Sequence, residues 1–317
     1  MSARLRGGVD LGGTKIQAVV TGHGGRILGE ARRNTPRRGG PEAIAGDIAV
    51  AVAEAATGAG VRVKELVGVG VGAPGSIDTT QGLVLKAPNI DVSDEPFPLA
   101  AMLTERLGIP VVLGNDVNVA VEAERRFGAG RGIRSFLGVF WGTGVGGGLV
   151  LDGRVVLGRG SAGEIGHVCV KPGGRRCNCG LRGCVEAYAG RGALEQQARR
   201  ESRRRKTILF DLQEKRGRAS LTSGIWLRAL EEGDAVATAL LHEAVQALGV
   251  AIGSAVTLLD VERVVIGGGL GERLGPAWIK RIEKAAKHHT FFRPPPDYVQ
   301  AALGDMGGAV GASLLAR

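Results

Sequence analysis

The sequence predicts an α/β protein with mixed sheets, built as two related domains that face each other across a cleft. Three observations predict it. Buried strand patterns alternate with helical ones along the chain, the signature of sheets covered by helices. A strand, glycine turn, strand pattern in "GGVDLGGTKIQAVV" (residues 7–20) recurs in "FLGVFWGTGVGGGLVLDG" (residues 136–153). Glycine, 54 of 317 residues, collects in short clusters between β-branched runs, where the backbone can take φ > 0 and approach a ligand closely.

The elements follow in order. Strands are expected at residues 4–10, 15–21 and 26–34, an antiparallel meander with a turn at residues 22–25. Residues 41–56 are alanine-rich with helical periodicity and start on Pro41, which suits a first helical position. "ELVGVGVGAPG" and "IPVVLGND" read as buried strands, and "VNVAVEAERRF" (residues 117–127) as a helix. In the second half a long helical pattern over residues 234–259 leads to "VERVVIGGGLG", a strand ending in glycines. Helices at residues 276–287 and 307–316 close the chain. Residues 199–223 fit neither pattern and read as an inserted loop.

Composition narrows the function classes. The chain is 44% hydrophobic and shows no apolar signal core at its start, and residues 244–259, its longest apolar candidate, are interrupted by Gln246, Ser254 and Thr257. A cytoplasmic protein outside the membrane is expected. The net charge of +10 raises a nucleic-acid partner, but much of it is local: residues 199–218 hold nine Arg or Lys against three acids. A solvated helix face and loop explains that run, and no nucleic-acid partner is expected; the rival is a polyanion such as polyphosphate.

Three glycine turns each follow an apolar strand: "DLGGTK" with Asp10, Gly12, Gly13, Thr14 and Lys15; "GTGVGGG" with Gly142, Thr143 and Gly144; and Gly267, Gly268 and Gly269. Each serves either as a plain turn or as a cradle whose backbone N–H groups bind phosphate oxygens, with Thr14, Lys15 and Thr143 adding donors. Gly142, Gly144 and Gly147 match a dinucleotide-binding spacing, but a strand rather than a helix follows, and that reading falls.

"GNDVNVA" places Asn115 and Asp116 at the carboxyl end of a strand, where open α/β sheets bind ligands. Asp116 suits a helix N-cap and equally a general base for phosphoryl transfer. Asn89, after a proline, reads as a turn residue or a sugar ligand, and Glu164 and Glu186 flank the segment that holds all four cysteines. Cys177, Cys179 and Cys184 with His167 upstream offer three thiolates and an imidazole, the donor set of a closed structural zinc site. Cys169 lies two residues from His167 and competes with it for the fourth place.

With these residues assembled, the chain resembles the ROK family of sugar kinases and repressors over nearly its whole length. "DLGGTK", "GAPG", "PN", "GNDVNVA", "GTGVGGG", "GEIGH", "CNCGLRGCVE" and "IGGGL" stand in the family's order. The resemblance implies an actin-like, hexokinase-like (ribonuclease H-like) fold of two α/β domains: residues 1–117 completed by the helix at 305–317, and residues 118–304 with the zinc loop and the arginine-rich stretch. It implies ATP-dependent phosphorylation of a hexose 6-hydroxyl, glucose before N-acetylglucosamine or N-acetylmannosamine, with Asp116 as base. Asn89, Asn115, Asp116, Glu164, His167 and Glu186 would bind sugar hydroxyls. The first two glycine turns would hold the phosphates, with Asp10 near Mg²⁺, and Gly267–Gly269 the adenosine side. His167, Cys177, Cys179 and Cys184 would hold zinc, and a homodimer or homotetramer is implied. Repressors of the family carry a separately folded DNA-reading module ahead of the first phosphate turn, where only nine residues precede Asp10, so a regulator is the weaker expectation.

Overall fold

The structure, a computed structural model, describes residues 4–87, 90, 95–291 and 294–316. Contacts divide the chain into two compact units, the first formed by Met1–Arg131, Leu157–Ala162 and Asp305–Arg317, the second by Gly132–Val156 and Gly163–Gly304.

The first unit is built on β1 (Arg6–Leu11), β2 (Lys15–Thr21), β3 (Ile27–Asn34), α1 (Gly40–Gly58), β4 (Val69–Ala73), β5 (Ser76–Asp78), β6 (Leu83–Lys86), α2 (Leu99–Leu107), β7 (Val111–Asn115) and α3 (Asp116–Phe127). Its main sheet runs β3-β2-β1-β4-β7. The first three strands form the expected antiparallel meander, and β1, β4 and β7 are parallel. β4 is buried along its whole length, as its unbroken apolar run requires. Ile44, Ile48, Val52 and Ala55 place one face of α1 in the same core. A C-terminal helix, Gly307–Ser313, packs backbone to backbone on the sheet. A Cβ on Gly8 would strike the Ala309 carbonyl and one on Gly70 the Ala312 carbonyl, so part of the glycine excess serves close packing and not a ligand.

The second unit repeats the arrangement. It consists of β8 (Phe136–Trp141), β9 (Val145–Leu151), β10 (Arg154–Val156), α4 (Glu186–Ala189), α5 (Arg191–Glu201), α6 (Leu209–Lys215), α7 (Ser223–Glu231), α8 (Ala235–Leu259), β11 (Arg263–Gly267), α9 (Gly269–Leu274), α10 (Pro276–Lys287) and β12 (Asp297–Gln300). The order β10-β9-β8-β11-β12 mirrors the first sheet strand for strand, with an antiparallel meander beside three parallel strands. The duplicated hairpin read from the sequence is thus one corner of a duplicated sheet. α8 is long and apolar enough to cross a bilayer by composition, yet 61% of its most apolar window is buried, and its Leu241, Leu248 and Ile252 join the core of this unit.

The arginine-rich stretch is not the loop its composition suggests. α5 reaches Glu201, α6 occupies Leu209–Lys215, and α7 starts at Ser223. Leu209 and Leu221 are fully buried and anchor it, while Arg199 pairs with Glu195 and lies over the Phe210 ring, its Cζ 4.9 Å from the centroid. Two apolar anchors outweigh a surrounding field of solvated arginines, whose stems lie on the surface while their charges stay in water.

Candidate active site

In the first unit, two features sit at the carboxyl ends of parallel strands. β7 ends on Asn115 and α3 begins at once on Asp116. The cap belongs to Asn115 and not to Asp116: the Asn115 Oδ1 accepts from the backbone N–H of Val117 and of Asn118, both at 3.1 Å. Asp116 is the first helical residue, half-buried, with its Oδ1 2.9 Å from the Val117 nitrogen. Asn115 is therefore the N-cap, and Asp116 shares only the Val117 N–H with it. Asn89 lies outside the described residues.

The "DLGGTK" turn joins β1 to β2, closed by Gly12 N–H donating to the Lys15 carbonyl at 2.9 Å and braced by the Thr35 hydroxyl on the Gly12 carbonyl at 2.6 Å. Gly13 and Thr14 stand exposed at its tip. Behind it, burial pushes the Asp10 carboxyl from 3.8 up to about 6, with Lys15 opposing the rise and Asp305 adding to it. Lys15 Nζ is 2.9 Å from Asp305 Oδ1.

Because the folded state holds the Asp10 proton more tightly than the unfolded chain, stability falls as pH rises from 3.8 to about 6, and the full cost is carried above that window. Asp10→Asn is therefore expected to stabilise the protein at pH 7.5 by about 1–3 kcal/mol. Thermal unfolding at pH 7.5 and pH 4 measures it: the gain should shrink at the lower pH, and an equal gain at both would show another cause.

The second unit gathers the cysteine segment. The ligand atoms of His167, Cys177, Cys179 and Cys184 lie within 4.8 Å of one another. The Cys177 Sγ is 3.8 Å from His167 Nδ1, and the Cys179 and Cys184 sulfurs are 3.8 Å apart. Ligands about 2.3 Å from a tetrahedral centre have edges of about 3.8 Å, so the donor set and its spacing both fit zinc. Cys169 is outside the cluster, its thiol 3.5 Å from the Arg182 carbonyl, which resolves the competition in favour of His167. Burial, with neighbouring thiols adding, pushes Cys184 up to about 12, whereas Cys179 ends lowered, its burial outweighed by the Leu181 backbone and the neighbouring thiols.

Short backbone bonds hold the segment in shape. Val170 N–H donates to Gly183 at 2.8 Å, Val185 N–H to Val168 at 3.0 Å and Cys177 N–H to Leu181 at 2.8 Å. Its upstream arm is pressed on β9, because Ile165 is buried and Gly166 leaves no room for a side chain against the Val145 carbonyl. That contact fixes His167 and leaves Glu164 exposed one turn before it.

Glu186, at the start of α4, is tied to both features. Its Oε2 accepts from the Val145 N–H at 3.0 Å, and its Oε1 is 4.0 Å from the Cys177 sulfur. A side chain on Gly144 would collide with that carboxylate. Gly144, expected to serve a phosphate, thus lies against the acid expected to serve a sugar.

The other two glycine turns of this unit adjoin each other at the carboxyl ends of the parallel strands β8 and β11. A Cβ on Gly142 would be 3.7 Å from the Gly269 nitrogen. Gly268 alone of these turn glycines takes positive φ, at 83°, and its Cα faces the Trp141 backbone where a Cβ would come within 2.7 Å of the Trp141 nitrogen. Arg191, which sequence reasoning missed, crosses the first of these turns: its Nη2 is 3.0 Å from Thr143 Oγ1 and its Nη1 3.4 Å from Ser223 Oγ.

The chain is similar to known proteins over its length. The ROK family model matches residues 6–317. The chain belongs to the ROK family. Among ROK relatives, a glucokinase of Streptomyces coelicolor is 36% identical over 318 residues, 98% of this chain and 96% of the relative. A glucokinase of Halalkalibacterium halodurans is 34% identical, covering 100% and 96%. A crystal structure of a ROK family glucokinase from Streptomyces griseus in complex with glucose and AMPPNP superimposes with a TM-score of 0.84 at 35% identity, covering 98% of both chains. The actin-like, hexokinase-like fold of the ROK kinases is therefore this chain's fold.

Proposed function

We propose that the protein transfers the γ-phosphoryl group of ATP to the 6-hydroxyl of a hexose, D-glucose first among them. The observation that carries the reading is the end-to-end likeness to glucokinases joined to an aspartate, Asp116, at the carboxyl end of β7 whose capping duty is taken by Asn115.

Asp116 accepts the proton of the 6-hydroxyl as its oxygen attacks the γ-phosphorus. The new O6–P bond forms while the bond from phosphorus to the bridging oxygen of ADP breaks, and ADP leaves with that oxygen. Asn89, Asn115, Glu164, His167 and Glu186 bind the remaining hydroxyls, each of which both donates and accepts. His167, whose Nδ1 faces Cys177, keeps its Nε2 for the sugar, so the zinc cluster orients a sugar ligand. Zinc here stiffens the segment and stays out of the reaction.

The "DLGGTK" and "GTG" turns hold the phosphates and Gly267–Gly269 the adenosine side. Asp10 suits Mg²⁺, since a carboxyl that burial disfavours as an anion gains most from an adjoining cation. Mg²⁺ bound with ATP supplies neutralisation of the phosphate charge.

Coupled release of ADP from MgATP, measured across glucose, mannose, fructose, allose, N-acetylglucosamine and N-acetylmannosamine, tests the reading. The highest kcat/KM is expected for glucose. A preference for an acetamido sugar would keep the mechanism and replace the substrate, and silence on all six would remove the kinase.

A further inference from the structure

The geometry points to Arg191 as the residue that grips the phosphate chain of the phosphoryl donor, an assignment that rests on the kinase reading and extends it to a side chain outside the family's recognised motifs.

Arg191 is fixed by its own backbone. Its N–H donates to the Gly142 carbonyl at 3.1 Å, and the next N–H, of Gly192, donates to the Thr143 carbonyl at 3.1 Å. The start of α5 is thereby sewn to the "GTG" turn. The side chain then folds back over that turn to the hydroxyls of Thr143 and Ser223. Ser223 Oγ is in turn 3.8 Å from where a Cβ on Gly269 would stand. One guanidinium thus spans the "GTG" turn and the first residue of the neighbouring glycine turn.

What the guanidinium lacks is a negative partner. Both neighbours are neutral hydroxyls, and among the described residues no ion pair includes Arg191. The nearest acid along the helix, Glu195, is committed elsewhere: its Oε1 takes Arg199 at 2.6 Å and its Oε2 takes the Leu221 N–H at 2.8 Å. Burial works against the charged form of Arg191, with only the more distant field of Glu195 in its favour. A half-buried cation held by neutral groups is costly on its own and becomes favourable when an anion completes it. The five N–H donors of a guanidinium match phosphate oxygens in pairs, and two hydroxyls leave most of them unused.

The alternatives are poorer fits. A purely structural staple between α5 and the turn already exists in the two backbone bonds. A surface arginine would carry its charge in water, as Arg203 and Arg204 do. Loss of a guanidinium stacked on the base would weaken adenosine as much as ADP, and the binding series below separates it from a phosphate contact.

Equilibrium binding of adenosine, AMP, ADP and ATP to the intact zinc-loaded protein, with and without Arg191→Met, tests the assignment, alongside kcat and KM for MgATP and glucose. Loss of a charge-assisted phosphate contact is expected to weaken ADP and ATP by about 10-fold or more, to leave adenosine within about 2-fold, and to raise the KM for MgATP with little change in that for glucose. Arg191→Lys, which keeps the charge but cannot hold both hydroxyls, should recover part of the ADP affinity; should the methionine variant not fold, the same phosphate-selective pattern is required of the lysine variant. Unchanged ADP affinity, or equal weakening of adenosine, ADP and glucose, would overturn the assignment. Wild-type protein that binds ADP through Arg191 yet phosphorylates no sugar would sink the kinase reading and leave the phosphate site standing.

Discussion

Replacing Asp116 with asparagine is expected to lower kcat for sugar phosphorylation by about 10²–10⁴-fold, the range set by loss of a positioned general base. The fold should not pay for the change. The cap of α3 is made by Asn115, whose amide also reaches the Gly75 carbonyl at 3.4 Å, and Asn at the first helical position is tolerated. Glucose binding should persist within a few-fold, because the amide still bonds a hydroxyl. Steady-state kinetics with binding of glucose measured separately checks this: a fall in kcat with retained affinity is the signature of a lost base, and a loss of affinity with unchanged kcat would reassign Asp116 to binding alone.

Removal of the metal proposed for the His167, Cys177, Cys179 and Cys184 cluster is expected to be the second large effect. The segment is glycine-rich and depends on backbone bonds between short arms; around the thiols its apolar support is the small cluster of Cys177, Cys184, Ala187, Tyr188 and Ala247 with Val170 at the margin, while Ile165 and Val185 tie its ends to the main core. Without a cation the buried Cys184 keeps its proton, and nothing draws the four ligand atoms together. Chelation, or Cys184→Ala, is expected to lower the midpoint of thermal unfolding by about 5–10 °C, equivalent to a few kcal/mol for a unit of this size. It should raise the KM for glucose far more than that for ATP, since His167 and Glu186 adjoin the cluster. Metal analysis, scanning calorimetry and restoration by added zinc measure it. A chelated protein with unchanged glucose KM would separate the metal from the sugar site.

How much of this was legible in the sequence depended on the kind of signal. The duplicated hairpin, α8 and α10 were plain because their patterns are long and strongly periodic. The short hairpin β5–β6 and the edge strand β12 were not, being three or four residues each and held by tertiary contact. The helix α6 hid beneath arginines, since charge density outvoted the two buried leucines that anchor the stretch. For the site, the cysteine spacing pointed to the cluster of ligand atoms, but only coordinates could place His167 in it and Cys169 outside it, because both sit in one short segment of the chain.

The glycines were the subtler lesson. Read as permission for φ > 0, they were expected to shape phosphate turns, yet of the "GTG" and "GGG" glycines only Gly268 uses that freedom. Others make room: Gly144 for the Glu186 carboxylate, Gly8 and Gly70 for the C-terminal helix. Arg191 had no sequence signal beyond lying five residues after Glu186. Its meaning comes from having no acidic partner among the described residues, which only the folded chain reveals.

The most direct test of the central claim is the position of the transferred phosphate. Phosphorus NMR of the product from glucose and MgATP should show a single sugar phosphate ester on O6, and 6-deoxyglucose should bind without releasing ADP. A phosphate on O1, or ADP released with the 6-deoxy sugar, would contradict the account.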